Sequence, residues 1–233
     1  MPVAVVADAH LSGPGGAARP LVEQLDALEP SNCERLVLMG DLFQVWVGTR
    51  RFETKDIGEV SAALRRLRDR GVPVHYIEGN RDFFLAESCY ADLFDTVGDD
   101  FVFDHGGKRY LAVHGDGINK KDYLYRFWRR LSKNRLSRIA MRNLPRRLAA
   151  RLIFGFEREL AKTNFKHKRR LPAEVILEYA GRRLAEGFDV VLLGHFHEPW
   201  RHRVGEGEVV VFDAWFRSRR VEWIDERSNA ATE

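Results

Sequence analysis

Val3-Ala4-Val5-Val6-Ala7-Asp8-Ala9-His10 is an apolar run of strand length that closes on an Asp and a His two positions apart. In extended backbone, residues i and i+2 project to the same side, so both side chains can reach one ion. A lone Asp-x-His at a strand end is more often incidental than functional. Here the arrangement recurs. Leu36-Val37-Leu38-Met39 runs into Gly40-Asp41, and Val74-His75-Tyr76-Ile77 leads to Gly79-Asn80-Arg81-Asp82. Leu111-Ala112-Val113 runs into His114-Gly115-Asp116, and Val190-Val191-Leu192-Leu193 into Gly194-His195-Phe196-His197. Five apolar strands thus carry Asp, His or Asn at or just beyond their C-terminal ends, the edge where open α/β sheets gather their ligands.

With 233 residues, 45% of them hydrophobic, the chain can bury one substantial core with room for an inserted subdomain. No run approaches the roughly 18–20 apolar residues that span a bilayer. The first strand begins almost at once, without a basic n-region or cleavage site, so no signal peptide is expected. Cys33 and Cys89 form no metal or redox motif and read as two reduced thiols of a cytoplasmic protein. The formal net charge of +4 hides an asymmetry. Residues 119–170 hold 18 Lys/Arg against 3 Asp/Glu, a net of +15, while the remainder nets −11. Such a block points to an anionic partner: phosphate, nucleic acid or an acidic membrane surface.

Working outward from the first strand, residues 2–7 are continuous rather than alternating, which marks a strand buried on both faces. Leu21, Leu25 and Leu28 recur at helical spacing before Pro30. Residues 35–39 form the second strand, and Phe43 to Val47 is apolar enough to pack beside the site. Ile57 to Arg70 has helical period and stops at Gly71. A third strand spans 73–77, and Phe83-Phe84-Leu85 opens a helical turn. Phe101–Phe103 and Arg109–Val113 make a β-hairpin; its His105, and His75 of the third strand, read as structural or solvent-facing. Between 119 and 170 lie three stripes: Tyr123, Phe127, Trp128, Leu131; then Leu136, Ile139, Ala140, Leu144; then Leu148, Leu152, Phe156, Leu160. Pro145 separates them into two or three amphipathic helices with basic outer faces. Helical-hairpin core accounts for part of these stripes, and the surplus of aromatic and basic residues supplies a lipid-contacting face. A helix over 172–186, a strand over 189–193 and a β-meander of Trp200–Val204, Val209–Phe212 and Arg219–Ile224 complete the chain. The tail from Arg227 is small and polar.

The collected strand-end residues are Asp8, His10, Asp41, Asn80, His114, His195 and His197, four of the eight histidines among them. One metal takes about four to six ligands, so seven residues plus water suit two divalent ions. A carboxylate between the ions can bridge them, and Asp41 is the candidate. Mixed His/Asp/Asn ligation without thiolate favours Mn²⁺, Fe²⁺ or Zn²⁺ over Ca²⁺, and imidazoles argue against pure Mg²⁺. Asp82 and Asp116, next to ligands, are candidates for orienting the imidazoles.

Asp8-x-His10, Gly40-Asp41, Gly79-Asn80, His114 and Gly194-His195-x-His197 resemble the full signature of calcineurin-like metallophosphoesterases, over residues 3 to about 215. The resemblance implies an α/β/β/α sandwich with a dinuclear centre, in which one ion takes Asp8, His10, Asp41 and His197. The other would take Asp41, Asn80, His114 and His195. Gly40-Asp41-Leu42-Phe43, Gly79-Asn80-Arg81-Asp82-Phe83 and the basic helical insertion after His114-Gly115-Asp116 are more closely similar to the UDP-2,3-diacylglucosamine pyrophosphatases of lipid A biosynthesis. That likeness implies Mn²⁺ as the metal, cleavage of a nucleotide-linked glycolipid to UMP and 2,3-diacylglucosamine 1-phosphate (lipid X), and a peripheral position on the cytoplasmic face of the inner membrane. Arg81 stands where the broad superfamily has His. With Asn80 and His195 it is expected to stabilise developing negative charge. Asp122 and Asn164 fall where the family contacts substrate, and His167 sits near where the family has a substrate-contacting lysine.

The expected organisation is a core of residues 1–118 and 171–225, a helical lid over 119–170 and a flexible tail over 226–233. No stable nucleic-acid partner is expected. Two other enzyme readings keep the metals and change the substrate, to another nucleotide diphosphate or phosphodiester, or to nucleic acid tracked by the basic insertion. A scaffold with a decayed metal site is the non-enzymatic alternative, and seven filled ligand positions argue against it.

Overall fold

In the computed structural model every residue of the first strand is buried, yet alternate side chains serve different cores. The structure describes residues 1–120, 123–145, 148, 151, 155 and 171–225. In chain order the elements that place the site are β1 (Val3–Val6), α1 (Arg19–Asp26), β2 (Arg35–Leu38), β3 (Trp46–Val47), α2 (Lys55–Asp69), β4 (Val74–Ile77) and β5 (Asp82–Phe83). They continue with β6 (Thr96–Gly98), β7 (Asp100–His105), β8 (Lys108–Val113), α3 (Tyr123–Ser132) and α4 (Arg135–Asn143). After these come α5 (Ala173–Ala185), β9 (Val190–Leu193), β10 (Trp200–Val204), β11 (Gly207–Val211), a short helix Trp215–Ser218 and β12 (Glu222–Ile224).

Two five-stranded sheets result, ordered β12-β1-β2-β4-β6 and β10-β11-β9-β8-β7. β1, β2, β4 and β6 run parallel in the first sheet, and β8, β9 and β11 in the second. Because side chains alternate along a strand, Val3 and Val5 point into the layer between the sheets with Met39, Ile77, Ala112 and Leu192. Ala4 and Val6 point the other way, against Leu21 and Leu25 of α1 and Leu64 and Leu67 of α2. The outer face of the second sheet, through Val191, Leu193 and Val209, is covered by Ile176 and Ala180 of α5. Helix, sheet, sheet and helix stack in that order, which is the sandwich expected from the sequence. α2 starts where Thr54 Oγ1 accepts the Ile57 amide at 3.3 Å and stops at Gly71, whose φ of +91° a side chain would resist.

Two expectations need correction. The third strand of the C-terminal meander leaves the second sheet: only β10 and β11 form a hairpin, and β12 pairs antiparallel with β1. Ile224 thereby fills the inter-sheet layer beside Val3. The segment Phe83-Phe84-Leu85 is not a helical turn at its start. Asp82–Phe83 pairs in parallel with Trp46–Val47, because the Trp46 amide donates to the Arg81 carbonyl at 2.9 Å and Phe83 packs on Val47. The first two insertion stripes do form α3 and α4. Most of the third lies outside the described residues, as does the tail over 226–233. In α3, Tyr123, Phe127 and Leu131 of the apolar stripe are exposed, and Tyr125, outside it, is buried.

Candidate metal centre

The five strands end in sharp turns that explain why glycine precedes three of the polar residues. A Cβ on Gly40 would lie 2.6 Å from the Gly79 amide and 2.9 Å from His114 Nδ1. One on Gly79 would lie 2.2 Å from Asp41 Oδ1, and one on Gly194 would lie 2.9 Å from Asp8 Oδ2. The turns also force unusual backbone on the residues that follow. Eight non-glycine residues have positive φ among the described residues, and Asp8, His10, Asp41, His195 and His197 are five of them. Left-handed backbone costs a side-chain-bearing residue roughly 1–2 kcal/mol, so its concentration here marks a site where packing holds strain for a purpose.

All seven strand-end residues meet. Ligand atoms of Asp8, His10 and His197 lie within 4.8 Å of one another, and so do those of Asp8, Asp41 and His114. Asp8 is the carboxylate common to both groups; Asp41 belongs to the second. His10 Nε2 faces His197 Nε2 at 3.2 Å, and His195 Nδ1 faces His114 Nε2 at 3.2 Å. Asn80 Oδ1 is 3.3 Å from His114 Nε2. The Met39 carbonyl can only accept, so at 2.7 Å His114 Nδ1 carries a proton, and Nε2 is the nitrogen that faces the cluster. The His195 amide donates to Asp8 Oδ2 at 2.7 Å, which ties the last strand end to the first.

The electrostatics call for a cation. Burial raises Asp8, but the hydrogen bond from His197 and the charges of His114, His197 and His10 hold it well below the ordinary carboxylate range. Burial raises Asp41 against the pull of His114 and Arg81. Burial depresses His10 to about 2 and His195 to about 3, the latter helped by His114. His114 alone goes up, to about 9: burial opposes the charge, and Asp41, Asp8 and Asp116 outweigh it. These buried carboxylates need positive charge, from a proton on His114 or from a metal ion. Two imidazole nitrogens 3.2 Å apart can share one proton or turn both lone pairs on a cation. The donor set of imidazole, carboxylate and amide oxygen fits divalent transition ions.

Arg81 lies at the edge of this cluster with its Nε 3.5 Å from Asp41 Oδ2 and Nη1 donating to the Gln44 carbonyl at 3.1 Å. Its backbone amide donates to Asp41 Oδ1 at 2.9 Å. Asp82 and Asp116 do not play the part expected of them. Asp82 Oδ2 accepts the amides of Asp41 at 2.9 Å and Gly79 at 2.8 Å, so it fixes two turns rather than an imidazole. Burial and the neighbouring Asp41 raise it to about 7. Asp116 is taken by the Tyr125 hydroxyl and by Arg129 Nε at 3.0 Å. The carbonyl of Met39, not a carboxylate, orients His114. Asp122, Asn164 and His167 lie outside the described residues.

The sequence reading missed a frame of three further contributors. Phe216 packs against the rings of His10 at 5.5 Å and His197 at 5.1 Å. Arg217 Nη1 donates to the His197 carbonyl at 2.5 Å, and the Trp215 amide to the Ala7 carbonyl at 2.8 Å. The apolar Ala214-Trp215-Phe216 that follows β11 was the available signal.

A profile of the calcineurin-like phosphoesterase family matches residues 1–199. A UDP-2,3-diacylglucosamine hydrolase from Pseudomonas putida (strain F1) is 29% identical over 236 residues, covering 97% of this chain and 95% of its own. The protein of the same name from Edwardsiella ictaluri is 32% identical over 200 residues, covering 84% of this chain and 76% of its own. Among solved structures, Vps29 from Chaetomium thermophilum is similar at a TM-score of 0.46 and 13% identity, over 92% of this chain and 71% of that one. The chain belongs to the calcineurin-like phosphoesterase family, whose members are hydrolases that use divalent metals.

Proposed function

We propose that this phosphoesterase hydrolyses the pyrophosphate bond of UDP-2,3-diacylglucosamine, giving 2,3-diacylglucosamine 1-phosphate and UMP as a step of lipid A biosynthesis, with two Mn²⁺ ions held by the seven strand-end residues. The observation that carries the reading is a cleft of about 810 Å³ lined by Tyr123, Phe127, Arg126, Arg129, Arg130 and Lys133 of α3. It offers apolar surface for acyl chains and cations for phosphates on one helix whose other contacts reach the ligand turns. The likeness to relatives bearing the hydrolase name, over nearly the whole chain, supports the same substrate.

When bound, a pair of divalent cations supplies Lewis acidity that acidifies a water and neutralises phosphoryl oxygens. The chain's own residues do the rest. Arg81, held between the Gln44 carbonyl and Asp41, offers a fixed guanidinium where charge builds on the diphosphate. A phosphate leaving group has a low pKa, so it needs charge stabilisation more than a proton. Asn80 turns Oδ1 to His114, which leaves its NH₂ to donate to a phosphoryl oxygen, and His195 closes the same side. Burial of the cluster keeps bulk water from screening these charges.

The exposed Tyr123, Phe127, Leu136 and Ile139, set among the positive charges of the insertion, suit a peripheral seat on an anionic membrane face, here assigned to the cytoplasmic side of the inner membrane. No helix among the described residues is long and apolar enough to cross a membrane. The test is release of UMP by purified protein from UDP-2,3-diacylglucosamine and from deacylated UDP-glucosamine, run in parallel with degradation of single-stranded DNA. Activity should need Mn²⁺, vanish on chelation and favour the acylated substrate. Equal kcat/KM for the acylated and deacylated nucleotides would overturn the lipid reading. A salt-steep preference for DNA would replace it with a nuclease.

A further inference from the structure

α3 is two-sided in a way its sequence does not advertise. Tyr123, Arg126, Phe127 and Arg130 line the open cleft, and Arg129 and Lys133 border it too. Tyr125, Arg129 and Lys133, spaced four residues apart and therefore on one face, grip the turns that carry metal-ligand candidates. The Tyr125 hydroxyl and Arg129 Nε both reach Asp116 Oδ2, two residues beyond His114, and Arg129 Nη2 reaches Asp99 Oδ1 at 2.8 Å. Lys133 Nζ donates to the Gly79 carbonyl at 2.8 Å and lies 3.7 Å from Glu78 Oε2. Gly79 is the residue immediately before Asn80. The insertion thus bonds to the backbone on one side of Asn80 and to the loop leaving His114, and those two residues face each other at 3.3 Å.

These contacts are built rather than casual. Tyr125 is buried, and the side chains of Asp116 and Lys133 are 5% and 13% exposed. The positive-φ backbone of Asp41 beside these turns needs outside support, since such conformations open unless the surroundings over-determine them. The core supplies part of it through Asp82, which ties the Asp41 and Gly79 amides. On the Asn80 and His114 side, a share of the support comes from the lid helix itself.

We propose that Arg129 and Lys133 are positioning residues of the metal centre, which make the arrangement of Asn80 and His114 depend on the seating of α3. Binding in the cleft and competence of the metal site are then coupled: a substrate that seats α3 also tightens the turns. This rests on the reading of the seven residues as a metal centre. Residues serving only the lid would affect lid-engaging substrates alone. Positioning residues affect every substrate and the metal as well.

The experiment compares wild type with Arg129→Gln, Arg129→Lys, Lys133→Met and Asp99→Ala. Three readouts apply: Mn²⁺ binding by calorimetry, hydrogen exchange of residues 78–82 and 113–117 in the metal-free protein, and kcat on bis(p-nitrophenyl) phosphate, too small to need the lid. Loss of an outer contact of this kind costs about 10–100-fold in metal affinity or activity. Arg129→Gln and Lys133→Met should weaken Mn²⁺ binding and lower kcat within that range, with faster exchange in both loops. Arg129→Lys should recover part of the loss. Asp99→Ala removes one anchor at an exposed site, cannot disturb the core, and should shift the same readouts less. Wild type that binds no Mn²⁺ and ignores chelation would remove the metal reading itself. Mn²⁺-dependent wild type with unchanged calorimetry, exchange and small-substrate kcat in the folded variants would overturn the positioning role alone.

Discussion

Replacing Gly79 by alanine adds a single methyl group at the tightest of the three glycines that precede ligand candidates. The new Cβ would sit 2.2 Å from Asp41 Oδ1 and 2.9 Å from the Asp41 amide nitrogen, where ordinary contact is about 3.5 Å. Something must move by about 1 Å. Asp41 has little freedom to yield: it is buried, Oδ1 accepts the Arg81 amide at 2.9 Å, and its own amide donates to Asp82 Oδ2. Gly79 cannot withdraw alone either, because its amide uses the same Asp82 oxygen and its carbonyl is held by Lys133. Any relief therefore displaces Asp41 or Asn80, both ligand candidates. A misplacement of about 1 Å costs on the order of 10²-fold in rate, and overpacking costs about 1–3 kcal/mol in stability. For a chain of this length each kcal/mol lowers Tm by roughly 2–4 °C. The assay is Mn²⁺-supported hydrolysis of bis(p-nitrophenyl) phosphate, run beside calorimetric Mn²⁺ titration and thermal melting. Gly107→Ala is the comparison: its φ is +74° with nothing within 4 Å of a Cβ, so it should cost about 1–2 kcal/mol of backbone strain and no activity. A Gly79→Ala protein with wild-type kcat and metal stoichiometry would refute the steric account of the glycine turns.

Arg81→Ala should lower kcat by about 10²–10³-fold with an unchanged circular dichroism spectrum, and Arg81→Lys should fall short of rescue because a point charge lacks the fork; an unfolded Arg81→Ala would reassign the residue to folding. Phe127→Ala removes an exposed ring of the cleft, so kcat/KM should fall for the acylated substrate while hydrolysis of the small phosphodiester persists, and parallel losses on both would count against an acyl slot. His75 is buried against Phe101 with ring centroids 3.9 Å apart, and burial pulls it down to about 4. Its folded pKa lies below its unfolded one, so the folded state resists protonation: the stability it supports is intact above the unfolded value of about 6.5 and is lost as pH falls from there toward about 4. Metal-free melting curves should show that decline, and His75→Phe should remove its share.

The centre was legible because each part is written locally. A buried strand, a glycine and a polar residue are neighbours in sequence, and Gly40-Asp41, Gly79-Asn80 and Gly194-His195 can be read without knowing which strands pair. The parallel sheets follow from continuous apolar runs such as Val190–Leu193, and the lone histidines 75 and 105 proved structural, with Phe101 and Glu34 as partners. The misplaced strand β12 fails for a matching reason. Antiparallel pairing with β1 rather than with β11 is decided by which edge is open, and Glu222-Trp223-Ile224 carries no trace of that choice. β5 was illegible because two residues have no period.

The inner face of α3 shows where pattern reading stops. Tyr125, Arg129 and Lys133 in a strongly basic segment look like a solvated helix face, and hydrophobic periodicity assigns the buried side to Tyr123, Phe127 and Leu131 instead. The structure exposes Phe127 and buries Tyr125, so the core share of that stripe is not realised there, and its exposed share is. What decides it is charge facing charge: Asp99, Asp116 and Glu78 await the helix on the core side. A buried carboxylate is costly unless paired, so Asp116 selects the cationic face of α3 and leaves the aromatic face outward. Asp116 and Arg129 are 13 residues apart, and Gly79 and Lys133 are 54 apart. Partners at such separations are set by the folded topology and not by any local spacing. The same pairing places Tyr123 and Phe127 along the cleft, so one electrostatic choice would serve both the metal turns and the apolar slot.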